Sequence, residues 1–467
     1  MPEISRREYL LGSMAAASLT AQTPGPRPSV KRPNILWILS EDISPQLACY
    51  GEPLIQTPNL DKMAKNGARF NHAFTTAPVC SASRSALATG VFQTTTGAHN
   101  HRTFKKKPLP EGVRLMTDRL REAGYFNVLC AGEKGKKHPG GPGPAGSGKT
   151  DYNFIAQHPF DGSDWNQRPS GKPFFAQLSL AESHKGPGWP QGRKVTPRID
   201  QSKLKLPPYW PDHPIALDEY ANYLEAIQLV DRYVGEIFTR LEKEGIADNT
   251  LVFFMGDNGS CTFRGKQFLY EGGISVPLLV RWPGKIQPGT VNDDLISAVD
   301  LVGSTLAAAG VEVPRNLHGR DFLGGAPKRT HIYAARDRCD IAIERMRCVR
   351  DARYKYIRNF LPGIPYMQSN PYKEKEYPTW NLVKQLNREG KLNAVQALFA
   401  ADSKPIEELF DLESDPHEVR NLASEPAQAD RLVSMRKLLD DWIVETGDKG
   451  NIMEDPVEIY QNYFKKR

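Results

Sequence analysis

From Asn34 to Leu39 the chain runs Asn-Ile-Leu-Trp-Ile-Leu, then turns polar at Ser40, Glu41 and Asp42. A continuous apolar run with no polar alternation reads as a strand covered on both faces, the situation of a parallel sheet flanked by helices. Ligands of open α/β sheets gather outside the carboxyl ends of the strands. Two carboxylates at such an end therefore mark a place where a site can form. The rest of the chain repeats the scheme. Thr57-Pro58-Asn59-Leu60 opens a helix that Gly67 stops. An amphipathic helix over Leu115–Ala123 leads to a strand over Tyr125–Cys130, and the Gly-, Lys- and Pro-dense stretch from Gly132 to Gly148 must be a loop. Pro173–Leu180 is a strand ending at Glu182-Ser183-His184, and Asp218–Glu244 is a long helix with Tyr220, Leu224, Ile227, Val230, Val234, Ile237 and Leu241 near one face. Thr250–Met255 is a strand running into Gly256-Asp257-Asn258-Gly259. Pro277–Trp282 is another, and Leu301–Ala309 another helix. This alternation, down to about residue 325, predicts an α/β fold: a large, mostly parallel sheet with helices on both faces. Beyond Pro327, strands over His331–Ala335, Met346–Asn359 and Glu408–Leu412, with a last helix from Ala427 to about Thr446, predict a smaller antiparallel sheet and helix. The expected organisation is a main domain over 34–325 and a C-terminal subdomain over 326–467.

Between the first strand and the Leu115 helix lies Ala77-Pro78-Val79-Cys80-Ser81-Ala82-Ser83-Arg84-Ser85-Ala86-Leu87-Ala88-Thr89-Gly90. Its small residues read as a loop entering a helix, with Cys80 near the N-terminus and Arg84 one turn later on the same face. A helix N-terminus beside a guanidinium suits an anion. A buried, unreactive cysteine before an ordinary helix fits that stretch equally well when it is taken alone. The strand ends add Glu41, Asp42, His184, Asp257 and Asn258, which the sheet brings to one edge. Three carboxylates and an amide oxygen are hard ligands, suited to Ca2+ or Mg2+ rather than zinc. The six cysteines (Cys49, Cys80, Cys130, Cys261, Cys339, Cys348) show no zinc-like spacing.

The N-terminus carries Ser5-Arg6-Arg7-Glu8-Tyr9 before a short apolar stretch, Gly12 to Leu19. This resembles a twin-arginine export signal over 1–21, followed by a Pro-rich linker over 22–33. The apolar part is too short to span a membrane. The expected location is periplasmic or secreted, with the twin-arginine export machinery as a partner and no membrane span in the mature chain. Cysteines of an exported chain can pair, although five remain if one is chemically special. The formal net charge of +7 favours anionic partners, and no Lys/Arg block is long enough to argue for nucleic acid.

Taken together, these motifs resemble the type I sulfatases of the alkaline-phosphatase-like superfamily. Cys80-Ser81-Ala82-Ser83-Arg84 matches the signature in which the cysteine becomes formylglycine. Asn34 to Asp42 matches the opening strand with its metal pair, and Gly256-Asp257-Asn258-Gly259 the second pair. Thr57 to Asp61, Leu120 to Tyr125, Lys266 before Tyr270-Glu271-Gly272-Gly273, His318-Gly319-Arg320 and Glu408 to Asp415 match further landmarks. Gly135-Lys136-Lys137-His138 and the stretch from Asp441-Trp442 to Glu445-Thr446 carry a closer likeness to heparan N-sulfatase (sulfoglucosamine sulfohydrolase) and its bacterial relatives.

The resemblance implies hydrolysis of sulfate esters or sulfamates on a sulfated polysaccharide or glycosaminoglycan fragment. It implies formylglycine made from Cys80 by a formylglycine-generating or sulfatase-maturating enzyme, and Ca2+ rather than Mg2+ held by Glu41, Asp42, Asp257, Asn258 and the residue at position 80. Arg84 and Lys266 stabilise charge on the sulfuryl oxygens. His184 or Lys266 gives a proton to the leaving group. Three departures stand out. Ala82 occupies a position usually held by proline. Glu41 replaces the usual first aspartate. Two lysine elements compete for the sulfate, Lys136 with His138, and Lys149 in Gly148-Lys149-Thr150-Asp151. Substrate contacts are expected from His99, His101 and Arg102 and from Arg336 and Arg338, whose forked guanidinium groups suit carboxylates and sulfates. The rival readings are a phosphodiesterase or phosphonate hydrolase of the same superfamily, and an inactive sulfated-glycan-binding protein.

Overall fold

The computed structural model describes residues 32–132, 143–186 and 188–465. The expected export signal, most of the linker, and Lys136 and His138 lie outside the described residues. From Arg32 onward the chain forms one compact unit. Its strands are β1 (Asn34–Ser40), β2 (Ala68–Phe74), β3 (Lys107–Pro108), β4 (Phe126–Leu129), β5 (Phe154–Ile155), β6 (Phe174–Leu180), β7 (Thr250–Gly256), β8 (Leu278–Arg281), β9 (Thr290–Ser297), β10 (Ile332–Arg336), β11 (Met346–Arg350), β12 (Tyr354–Asn359) and β13 (Glu407–Asp411). A seven-stranded sheet has the order β4-β6-β1-β7-β8-β2-β9, and a four-stranded sheet the order β10-β11-β12-β13. The short β3 and β5 pair with each other.

All pairings in the large sheet are parallel except the two made by β8. All pairings in the small sheet are antiparallel. This is the expected α/β architecture, with one reversed strand. Every residue of β1 is buried. Its alternating side chains feed two separate cores. Leu36 and Ile38 join the core under the long Pro214–Lys243 helix, while Ile35, Trp37 and Leu39 join the core with Leu120 and Leu301. Burial on both faces is why β1 has no polar alternation.

Register decides where the chemistry sits. Ser40 pairs with Leu180 of β6 and with Gly256 of β7, so three parallel strands end level with one another. Glu41 and Asp42, Ser183 and His184, and Asp257 and Asn258 leave these ends side by side. The helix Cys80–Thr89 follows β2 and is almost wholly buried. Leu87 packs in a core of the large sheet, Ala86 packs with Tyr356, Leu409 and Trp442 of the C-terminal part, and Ala82 packs with Cys339. Only small side chains allow such close approach on every side. The serines between them all have partners. Ser83 Oγ donates to the Asp257 carbonyl, Ser85 Oγ accepts from the Asn153 N–H, and Ser81 Oγ accepts from the Arg102 N–H at 2.9 Å. The alternating Ser-Ala-Ser-Arg-Ser sequence thus ties one helix to three loops.

Candidate active site

At the level strand ends, Cys80 starts its helix with Sγ 3.6 Å from Asp42 Oδ1. Asp42 adopts a left-handed backbone (φ 53°), which aims its carboxylate back across the edge. Its N–H donates to Asp257 Oδ1 at 3.1 Å, and its Oδ2 accepts from Lys266 Nζ at 2.8 Å. Arg84 spreads its fork over the same cluster. Nε donates to Asp257 Oδ2 at 2.8 Å, one terminal nitrogen donates to Ser179 Oγ at 2.9 Å, and the other lies 3.7 Å from Glu41 Oε1. Lys149 Nζ reaches Glu41 Oε2 at 2.6 Å. His184 Nε2 lies 3.7 Å from Asp42 Oδ2, while its Nδ1 bonds the Lys185 carbonyl. The carbonyl can only accept, so Nδ1 carries the proton and Nε2 faces the cluster.

Three acids thus stand against three cations in a largely buried cluster. Burial and the neighbouring Glu41 and Asp42 charges push Asp257 up against the pull of Arg84. Burial works against the Asp42 carboxylate too, but Lys266 outweighs it and holds Asp42 well below its usual range. Lys266 is raised in turn by Asp42, despite burial. Burial, reinforced by Lys266, lowers His184 to about 4. Burial pushes the Cys80 thiol up to about 12, beyond what Lys149 and Lys266 recover. An unmodified Cys80 is therefore a thiol at neutral pH and a poor nucleophile.

The donor set fits a hard cation. Asp42, Cys80 and Asp257 bring ligand atoms within 4.8 Å of one another, as do Glu41, Cys80 and His184. Glu41 Oε1 and Asn258 Oδ1 are buried without a hydrogen-bond partner. Buried oxygens in that condition are costly unless something positive completes them. Gly259 fits because its backbone lies on Gly273, and a Cβ there would stand 2.3 Å from the Gly272 carbonyl oxygen.

The structure therefore gathers Glu41, Asp42, Cys80, Arg84, Lys149, His184, Asp257, Asn258 and Lys266. Lys149 reaches the cluster through Glu41, while Lys136 and His138 lie outside the described residues. The expected substrate contacts divide. Arg102 is exposed and reaches Asp151 at 3.3 Å, and Asp151 is 3.9 Å from Lys149. His101 is buried 3.5 Å from Asp340, and His99 is buried with Nδ1 unpartnered. Arg336 and Arg338, expected to offer free forks at the border, are instead enclosed. Arg336 stacks over Phe268 near Glu344, and Arg338 bonds Glu454 and the carbonyls of His101 and Asp340. They support the loops rather than face solvent. Sequence reasoning missed Ser179, Asp151 and Asp340. Only Asp151 carried a signal, as the acid two places after Lys149.

Comparison with known proteins bears on this geometry. Residues 33–137 and 159–311 match the Sulfatase family model, and residues 259–366 match the model described as N-sulphoglucosamine sulphohydrolase, C-terminal. An ulvan-active sulfatase of Formosa agariphila is 33% identical over 91% of this chain and 77% of its own length. The N-sulphoglucosamine sulphohydrolase of Homo sapiens is 26% identical over 89% of this chain and 90% of its own. Among solved structures, a protein in complex with its substrate D-glucosamine-2-N,6-O-disulfate has the same fold, with a TM-score of 0.64 at 18% identity over 90% of this chain and 99% of that one.

Proposed function

The chain belongs to the sulfatase family, and from that premise we propose that it removes sulfate from a sulfated polysaccharide or glycosaminoglycan fragment, as ester or sulfamate. The observation that carries the reading is the placement of Cys80 at a helix start between Asp42, Arg84, Lys149 and Lys266. A thiol pushed up to about 12 by burial is unfit to attack sulfur, whereas a hydrated formylglycine at this position offers two hydroxyls on one carbon. A Ca2+ ion held by Glu41, Asp42, Asp257 and Asn258 would acidify the attacking hydroxyl and take up charge on the sulfuryl oxygens.

The chain's own groups supply the rest. Arg84 orients Asp257 and points its fork at the nucleophile's helix start. Lys149 and Lys266, which lean on Glu41 and Asp42, are the cations available to the sulfuryl oxygens. Fixed charges in a buried cleft stabilise developing negative charge far better than solvent does. Lys266, kept protonated by Asp42, gives the proton that the leaving oxygen or nitrogen needs, while His184, neutral with a bare Nε2 turned to the cluster, is placed to accept a hydrogen bond. Export through the twin-arginine route and maturation by a formylglycine-generating or sulfatase-maturating enzyme complete the proposal. No helix among the described residues is long and apolar enough to cross a membrane.

The test compares aryl sulfate with aryl phosphate hydrolysis by protein produced alongside a maturation enzyme, with mass analysis of the Cys80 peptide. Faster sulfate turnover with an aldehyde at position 80 is expected. Faster phosphate turnover would assign the chain to the phosphodiesterases or phosphonate hydrolases. An intact thiol without turnover would make it a sulfated-glycan-binding protein.

A further inference from the structure

Seven non-glycine residues have a left-handed backbone among the described residues, and five of them adjoin the cluster: Asp42, Arg102, Asp151, Gln267 and Asp340. Such conformations cost about 1–3 kcal/mol each and persist where the surroundings enforce them, often at functional sites. Asp42 is accounted for by the candidate metal site, and Gln267 follows Lys266. Arg102, Asp151 and Asp340 stand on three separate loops, and those loops are cross-tied. The Arg102 N–H donates to Ser81 Oγ, beside Cys80. The His101 N–H donates to the Arg338 carbonyl at 2.8 Å, and Arg338 donates to the Asp340 carbonyl at 2.7 Å.

The side chains lie close together on the Lys149 side of the cluster. Asp340 lies 3.5 Å from His101, Arg102 lies 3.3 Å from Asp151, and Asp151 lies 3.9 Å from Lys149. Burial would raise both carboxyls, but the nearby His101, followed by Arg102 and Lys266, holds Asp340 down to about 2, and Arg102 with Lys149 holds Asp151 below its usual value. Burial keeps His101 neutral. Arg102 spends its fork on Asp151 through Nε and a terminal nitrogen. These side chains carry two carboxylates to one guanidinium, beside a cluster in which Arg84, Lys149 and Lys266 are already matched by Glu41, Asp42 and Asp257. A net acidic flank is an odd neighbour for a polyanion's site, unless it selects among polyanions.

We propose that Asp151 and Asp340 determine which sugar enters: they accept hydrogen bonds from hydroxyl or amino groups flanking the reacting sulfate, and their charge turns away a second anionic substituent at that place. The proposal rests on the sulfatase reading above. Like charges brought together in a binding site discriminate strongly, and an ionised acceptor rewards a neutral donor.

The experiment measures kcat and KM of the matured full chain on matched pairs, glucosamine 2-N-sulfate with its 2-N,6-O-disulfate and N-acetylgalactosamine 6-sulfate with its 4,6-disulfate, with 4-nitrophenyl sulfate as a reference. The wild type should prefer the monosulfated member of the pair that it accepts. Asp340→Asn and Asp151→Asn should each shift the ratio of kcat/KM toward the disulfate by about tenfold, mostly through KM. Arg102→Gln, which frees the Asp151 charge, should shift it the other way. Using three variants on three loops keeps the test alive if one of them fails to fold. Ratios unchanged in folded, active Asp variants would overturn the proposal and leave the sulfatase reading standing. No sulfate release by the wild type from any of these compounds would overturn the sulfatase reading, and this proposal with it.

Discussion

At the residue scale the site is a matter of reach and direction. Arg84 engages Asp257, Ser179, the Lys149 carbonyl and, at longer range, Glu41 from one planar group. A lysine has the charge without the fork. Arg84→Lys should therefore lower kcat/KM about 100- to 1000-fold on any sulfated substrate, the range typical of losing one fixed donor to developing charge. A thermal melt should still be cooperative. A drop of less than tenfold would show that the fork is dispensable. The acids at strand ends were legible in the sequence because they follow apolar runs, and Arg84 because it follows Cys80 by one turn. Asp340 was not, because a left-handed aspartate in a loop leaves no periodic trace. The inward turn of Arg336 and Arg338 was equally hidden, since both an exposed and a buried arginine fit a polar stretch. Ala82 departs from the usual proline, yet it occupies the first helical turn, where the N–H has no intrahelical acceptor. The backbone there would accept proline as well.

At the element scale the sequence predicted five strands of the large sheet, β1, β4, β6, β7 and β8, and the first, third and fourth of these are buried along their whole length. The two of the large sheet that it missed, β2 and β9, lie next to each other at one margin of the sheet and carry polar residues over much of their length. Half-exposed strands lose the continuous apolar signature, and their alternation here is irregular around a register shift between Phe70 and His72. The C-terminal helix Pro456–Lys465 was also missed, being short and mixed in character. The small sheet is fastened by a buried cation. Lys355 on β12 is fully buried, 2.6 Å from Glu271 and 2.7 Å from Glu418. Lys355→Met leaves two acids without their shared partner, so unfolding free energy should fall by about 3–5 kcal/mol in a denaturant titration. A neutral result would mean that the acids relax to water. The same cluster sets a pH dependence. Burial would raise Glu271, but Lys355 and Arg350 outweigh it and hold its carboxyl at about 2, below the usual 4.5. A depressed carboxyl stabilises the fold above 4.5 and loses that contribution as pH falls toward 2. Glu418, raised by burial, has the opposite sign. Comparing wild type with Glu271→Gln isolates the first effect. The variant should lose less stability than the wild type between these limits, and parallel curves would contradict the assignment.

At the scale of the whole molecule, the level ends of β6, β1 and β7 make sheet and site one object, while the small sheet and the Cys80–Thr89 helix share a core. The shared strand-end edge could be read from alternation alone, since parallel strands of one sheet place their carboxyl ends together; the shared core left no sequence signal. Metal should couple to that whole. If a cation completes Glu41 Oε1 and Asn258 Oδ1, chelation with EDTA should abolish activity and lower the apparent melting temperature, and Ca2+ should restore both. At a hundredfold excess over its dissociation constant, a site ligand stabilises by about 2.7 kcal/mol. Unchanged melting and activity under chelation would remove the cation from the account. The most direct test of the central claim is the release of inorganic sulfate from a sulfated polysaccharide by matured wild type and by Cys80→Ala, measured side by side. The account predicts release by the wild type and none by the folded variant. Equal release by both would contradict it.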